Sequence, residues 1–368
     1  MEPFKNIYQK KSLTDLADAI HSVDSKFDKK AFLDYALTGL SKLELKERVN
    51  QVADALHRSL PYNYPKNTKV LIKTLAPYNE HIDHEWESSL DGISGFMVWP
   101  YCTYVEKYGL DDLEASINAM LEFTQRFSSE FVIRHFIKLH EKKMFTQLKI
   151  WKKHPNHHVR RLVSEGTRPR LPWGISVDCL KTNLKRNISL IYSLRKDPSL
   201  YVRRSVANHL NDISHIDTGL FFETLEKMGD TVEEQYVKRH ASRTLLKKAH
   251  PRALALHGYK KLDKAKASLD LKTQKIKEGE NLIFNVSLTL PKESKILLEY
   301  IIHYKKANGS YSEKVFRLRD KEGVKELDFL KKVSFKKVTT RVHYEGEHFI
   351  QLQLNGKRFP KQKFYLEV

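Results

Sequence analysis

As far as Gly258, apolar side chains recur every three or four positions, the spacing that puts them on one face of a helix. Ser12, with Asp15 three residues on and Leu13, Leu16, Ala17 and Ile20 following at helical intervals, predicts a helix capped at Ser12. Phe32, Tyr35, Leu37 and Leu40 predict a second helix, and Leu43, Leu45, Val49, Val52, Ala53 and Leu56 a third. The run from Leu60 to Pro65 interrupts the pattern, which resumes at Leu71 and stops at Pro77. Phe96, Trp99, Tyr101 and Tyr104 form an aromatic stretch that reads either as a core contact between helices or as one wall of a ligand groove. Beyond Gly258 lies a lysine-rich linker, residues 259–267, and then the apolar period drops to two. Residues 269–271, 282–290, 297–304, 315–318, 341–344, 349–354 and 364–368 predict seven short strands, with Asn308-Gly309 and Asn355-Gly356 as hairpin turns.

The helical part contains an internal repeat. His154-Pro155 leads to Val159-Arg160-Arg161 and Val163, and Asp197-Pro198 leads at the same spacing to Val202-Arg203-Arg204 and Val206. Weaker copies sit at Val132-Ile133-Arg134 and Val237-Lys238-Arg239. A proline suits a helix start, and valines four apart face inward together. Helices at residues 144–153, 180–195 and 220–228 would each pair with the Val-Arg-Arg helix that follows. Stacked helix pairs of this kind make a HEAT-like solenoid, and seven short strands make an immunoglobulin-like sandwich. The expected fold is therefore an all-α HEAT-like unit over residues 1–258 followed by an all-β immunoglobulin-like unit over residues 268–368.

Charge changes what the repeat is expected to do. The chain carries a formal +20, but residues 1–133 hold 15 Lys and Arg against 20 Asp and Glu, whereas residues 134–252 hold 25 against 11 and residues 265–368 hold 22 against 13. A field concentrated in this way favours a polyanion, with nucleic acid ahead of a membrane surface. Stacking would align Arg160 and Arg161, Arg203 and Arg204, and Lys238 and Arg239 as a ladder along a phosphate backbone, joined by Arg134 at its start. The plainer alternative is a solvated face. Two cysteines, Cys102 and Cys179, suit a reducing cytosolic compartment, no run is apolar enough for a membrane helix, and a monomer is expected.

Acidic groups are few in the basic half, so each is a candidate for chemistry: Glu130, Glu165 and Asp212. Structural roles compete with this, an ion pair to Arg161 for Glu165 and a helix cap for Asp212. No zinc spacing, phosphate loop or serine nucleophile with partners is present, and no cofactor is called for. What remains is chemistry that needs only stabilisation of a cation. Cleavage of a glycosidic bond passes through an oxocarbenium-like state that carboxylates stabilise. Trp173 would offer a π face to a cation, and a base already cationic from alkylation departs without a proton donor.

The stretch Ser164-Glu165-Gly166-Thr167-Arg168-Pro169-Arg170-Leu171-Pro172-Trp173 resembles the signature of the AlkC branch of the AlkC/AlkD DNA alkylation-repair glycosylases. The resemblance reaches to about residue 258, and the trailing strands look like the immunoglobulin-like module of one subgroup. It implies excision of cationic N-alkylated bases, chiefly 3-methyladenine with 3-methylcytosine and 1-methyladenine, from double-stranded DNA held in a groove without base flipping. By motif, Glu165 and Trp173 match active-site positions, Glu130 a second acidic position and Asp212, more loosely, a third. Arg134, Arg160, Arg161, Arg168, Arg170, Arg203, Arg204, Lys238 and Arg239 correspond to positions that grip DNA. The competing expectations are a non-catalytic binder of damaged or branched DNA and a HEAT-type protein scaffold. For the strand domain, added grip on DNA competes with protein docking or simple stabilisation.

Overall fold

The computed structural model describes residues 3–78, 91–338 and 341–368. Their contacts divide the chain between Ala241 and Ser242 into a helical unit and a unit containing every strand found among the described residues. The helical unit opens with a helix at Lys10–Val23, whose Leu13, Leu16 and Ile20 are fully buried. It starts earlier than Ser12, because Ser12 sits in the first turn and its hydroxyl accepts from the Gln9 backbone N–H at 3.1 Å. Helices at Lys29–Leu37 and Leu45–Ser59 follow. The expected break at Leu60–Pro65 ends inside the next helix, Tyr64–Lys73, since Asn63 caps it and Pro65 occupies its first turn, where a missing N–H costs nothing. The aromatic stretch becomes a short 3-10 turn and the helix Trp99–Tyr108, with Trp99, Tyr101 and Tyr104 in the core.

The repeat copies form the helices Val132–Leu139, His157–Glu165, Leu200–Ser214 and Val232–Ala241. Val159, Val163, Val202, Val206 and Val237 are all fully buried, each such side chain contributing about 1.5–3 kcal/mol relative to exposure. The Leu200–Ser214 helix packs on both His157–Glu165 and Val232–Ala241, so adjacent copies stack directly. In sequence, the Gly166–Gly174 loop lies between His157–Glu165 and Leu200–Ser214.

In the second unit, short helices at Arg243–Lys247 and Pro251–Leu256 precede the strands. The two central predicted strands at 282–290 and 297–304 are one long strand, Asn281–Lys305, both halves of which pair with Tyr311–Ser334. On its other edge the first half pairs with Lys266–Leu271 and the second half with Gly346–Leu354. Register shifts between Thr289 and Ile296 separate the halves, and such irregularities bend a ribbon. Gln362–Glu367 completes the sheet against Gly346–Leu354 and Lys275–Lys277. The expected strand at 341–344 is absent among the described residues of that range, where Arg341 makes only an isolated bridge to Val338. Both predicted turns form: Asn355 and Gly356 have φ of 44° and 86°, as a two-residue hairpin loop requires.

Candidate nucleic-acid interface

The loop between the first two full repeat helices is tied down by one buried arginine. Arg134, 1% exposed, donates to the carbonyls of Ile175 at 2.7 Å, Gly166 at 3.0 Å and Arg168 at 2.8 Å. Burial, reinforced by the nearby Arg168 charge, lowers its pKa to about 10. Arg134 therefore braces the loop from below instead of reaching solvent, which is a different employment from the phosphate contact its sequence position suggests. Gly166 can hold its place only without a side chain, because a Cβ there would lie 2.5 Å from Ile133 Cγ2.

On this scaffold the three candidate carboxylates, drawn from three separate segments, are joined through two guanidinium groups. Glu130 pairs with Arg161, which also donates to Ser128 Oγ at 2.9 Å, while that hydroxyl donates to Glu130 at 2.9 Å. Arg161 approaches Glu165 Oε1 at 3.6 Å, and Arg168 donates to the same oxygen at 2.7 Å. Arg168 then reaches Asp212 in a two-pronged contact at 2.8 and 3.0 Å. The order is carboxylate, guanidinium, carboxylate, guanidinium, carboxylate. Ser205 donates to Glu165 Oε2 at 2.6 Å, and the Arg170 backbone N–H reaches Asp212 at 3.3 Å.

Glu165 and Asp212 are 5% and 6% exposed, so these partners replace the hydration that burial removes. For Glu165, burial pushes the pKa up, but the Arg161 and Arg168 charges and the Ser205 hydrogen bond outweigh it and hold the group below its ordinary value. The result is a carboxylate kept ionised, suited to facing a positive charge and unsuited to donating a proton. His209, on the same helix face as Ser205 and Asp212, is fully buried, with Nδ1 at 3.0 Å from the Ser164 carbonyl. Burial lowers its pKa to about 4, so it is neutral beside this network.

Trp173 stands apart from the other members in exposure, at 71%, and its φ of 65° is unusual for a bulky residue. Lys46, from the distant Leu45–Ser59 helix, donates to the Trp173 carbonyl at 3.3 Å and places its ammonium 5.4 Å from the indole centroid.

The basic pairs divide by position. Arg160 donates to the carbonyls of His154 and Pro155 at 2.9 and 2.6 Å, and Arg203 donates at the corresponding place to those of Asp197 and Pro198. Arg160 also grips Asp197 of the next repeat at 2.6 and 2.9 Å. Lys238 likewise lies 3.0 Å from Asp230. The first basic residue of each pair thus ties down the repeat itself. Arg168 is buried with the carboxylates, Arg239 is half-buried, and Arg170 and Arg204 are exposed.

Ser128, Ser205, His209 and Lys46 were not singled out by sequence. The first three lie within three residues of Glu130, Arg204 and Asp212 respectively, whereas Lys46, 127 positions before Trp173, carries no local signal.

Residues 265–368 match the family model described as the C-terminal Ig-like domain of the uncharacterised protein YhaZ. The chain is 37% identical over 362 residues to the uncharacterised protein YhaZ of Bacillus subtilis (strain 168), with 97% of each covered. It also matches the structure of Pseudomonas fluorescens alkylpurine DNA glycosylase AlkC bound to DNA containing an abasic site analogue, at 31% identity and a TM-score of 0.90, with 100% of both chains covered.

Proposed function

The chain belongs to the AlkC-like branch of the AlkC/AlkD DNA alkylation-repair family, and from that premise we propose that it is a DNA glycosylase releasing cationic N-alkylated bases from double-stranded DNA. The observation that carries the reading is the chain of three carboxylates and two arginines, in which Glu165 is buried and held ionised. A buried anion of this kind stabilises the positive charge that develops on the sugar as the glycosidic bond breaks. It supplies no proton, and a leaving base that is already cationic needs none. This agreement between a site without a general acid and a substrate without need of one favours 3-methyladenine, 3-methylcytosine and 1-methyladenine over neutral lesions.

In this reading Glu165 faces the sugar cation, with Glu130 and Asp212 sharing the task or orienting water. Trp173, exposed on its braced loop, stacks against the lesion side. Arg170 and Arg204 take phosphates, joined by Arg239, while Arg160, Arg203 and Lys238 hold the repeats in register. A shallow site carried on an exposed indole suits action without drawing the base into a deep pocket, unlike enzymes that flip their target. The test is to incubate the protein with methylated duplex DNA and identify released bases chromatographically. Free 3-methyladenine is expected, without release of a neutral lesion such as O6-methylguanine. Tight, damage-selective binding with no released base would instead make this a non-catalytic binder.

A further inference from the structure

In the second unit, the Asn355-Gly356 hairpin meets the helix Pro251–Leu256 so closely that a Cβ on Gly356 would lie 2.9 Å from Leu254 Cδ1 and 3.1 Å from Ala249 Cβ. Beside this contact opens a cavity of about 720 Å³, with an apolar floor that includes Leu254, Ala255, Pro251 and Tyr259. Its walls are tied down. Buried Asn355 accepts from the Leu297 backbone N–H at 2.7 Å and donates to the carbonyls of Lys260 at 2.8 Å and Lys295 at 3.1 Å. One side chain thus joins the hairpin, the linker and the central strand. Tyr259 is buried as well, and its hydroxyl donates to Asp320.

Among the described residues, three lysines line the cavity, Lys260 and Lys261 from the linker and Lys357 beside the hairpin turn, and no carboxylate does. Lys357 is held on the Asp263 carbonyl at 2.7 Å. Lys261 lies 3.1 Å from the carboxylate of the same residue, in a pair exposed on both sides. Lys260 is exposed.

We propose that this cavity docks an acidic segment of a partner protein, with a large apolar side chain seated on Leu254 and Tyr259 and carboxylates set against the lysines. The volume lies within the range of about 300–1,000 Å³ typical of preformed ligand sites, and walls already in place spare the complex the cost of ordering them. The lining narrows the ligand further. A nucleic-acid backbone would meet the lysines, but its phosphates gain nothing from an apolar floor and lose hydration against it. A lone carboxylate on an apolar chain fills the floor and meets one cation. Cations on two separate segments match a run of carboxylates, and the floor matches an apolar anchor beside that run. Nothing in this recognition depends on glycosylase chemistry.

The test uses the full chain and a fluorescein-labelled peptide of three aspartates followed by leucine and phenylalanine, read by fluorescence anisotropy. One control replaces leucine and phenylalanine by serine, and a second replaces the aspartates by asparagine. Decanoate and a short DNA duplex are titrated alongside. The complete peptide is expected to bind at least about tenfold more tightly than either control, and to bind more weakly as salt is raised. Ala255→Trp, which fills the cavity from an exposed position, is expected to abolish peptide binding, and Lys260→Glu to weaken it about tenfold. Circular dichroism checks that each variant is folded. No peptide binding, equal binding of the peptide and its serine control, or binding unmoved in either folded variant overturns the proposal. Tighter binding of decanoate than of the peptide overturns it in favour of a small amphiphilic anion. Lys260→Glu lowering affinity for the duplex but not for the peptide overturns it in favour of a DNA contact.

Discussion

Glu165 illustrates how one residue takes its character from its neighbours. In sequence it had two readings, a helical ion pair with Arg161 and a carboxylate that stabilises a cation in catalysis, and the structure gives it the ion pair and a second guanidinium besides. The two roles are compatible, because the arginines are what keep a buried carboxylate charged. Arg168 is the link that joins Glu165 to Asp212, so Arg168→Met would leave two buried carboxylates without their main partner. Loss of one member of such a network costs about 3–5 kcal/mol, which urea unfolding of that variant should register. Arg168→Lys, with a charge but no fork, should recover only part of the loss. The pH dependence follows from the direction of the Glu165 shift. Its folded pKa lies below the unfolded value near 4.3, so the stability that its ionisation contributes is fully present above about pH 4.3 and is lost only as pH falls through the lower folded value. Single-turnover excision should accordingly stay level from about pH 5 to 8, since His209 titrates near pH 4 and Glu165 is held below its ordinary value by Arg161, Arg168 and Ser205. A bell-shaped profile centred near pH 6–7 would point to a general acid that this reading does not contain.

At the scale of elements, the valine-arginine repeat was legible because helical periodicity and a fixed proline offset survive in both strong copies. What each arginine does was not legible. Position on a helix does not distinguish a guanidinium turned toward backbone carbonyls five and six residues earlier from one turned toward solvent, and Arg160 and Arg203 are of the first kind. Two classes of substitution should therefore separate. Arg160→Ala and Arg203→Ala are expected to lower stability by about 1–3 kcal/mol each through unmade hydrogen bonds, measurable as a shift in denaturant midpoint. Arg170→Ala and Arg204→Ala are expected to leave stability within about 0.5 kcal/mol and to reduce the salt dependence of DNA binding by about one phosphate each. If the first class weakened DNA binding without loss of stability, the division drawn between them would be wrong. The strands show the complementary limit. Alternation reveals where residues face inward, but it does not say whether two alternating runs are one bent strand or two, and one strand, Asn281–Lys305, runs through the irregular stretch between Thr289 and Ile296 that the pattern reads as a gap.

At the scale of the whole molecule, the change from period 3.6 to period 2 was enough to show two units, because each class of element buries its apolar residues at its own interval. The bracing role of Arg134, and Lys46 and Ser205 altogether, escaped that view for a common reason. Their partners are 41, 127 and 40 residues away, and only the folded chain brings them together. The strand unit matches the Ig-like family model over residues 265–368 and carries 22 basic against 13 acidic residues there. A chain ending at Ala241, where the contacts divide, is expected to keep its helical circular dichroism and to bind DNA at least tenfold more weakly, with a shallower salt dependence. Unchanged affinity would assign the strand unit to protein docking or stabilisation instead.

The central claim is that a buried, ionised Glu165 lowers the barrier to breaking the glycosidic bond. Single-turnover release of 3-methyladenine from methylated duplex DNA by the wild-type protein and by Glu165→Gln tests it most directly, with DNA affinity measured on the same samples. Neutralising the carboxylate while keeping its shape should slow release by about two to three orders of magnitude, the usual cost of removing one charge-stabilising group, with affinity little changed. Release at the wild-type rate by a folded Glu165→Gln protein would contradict the claim.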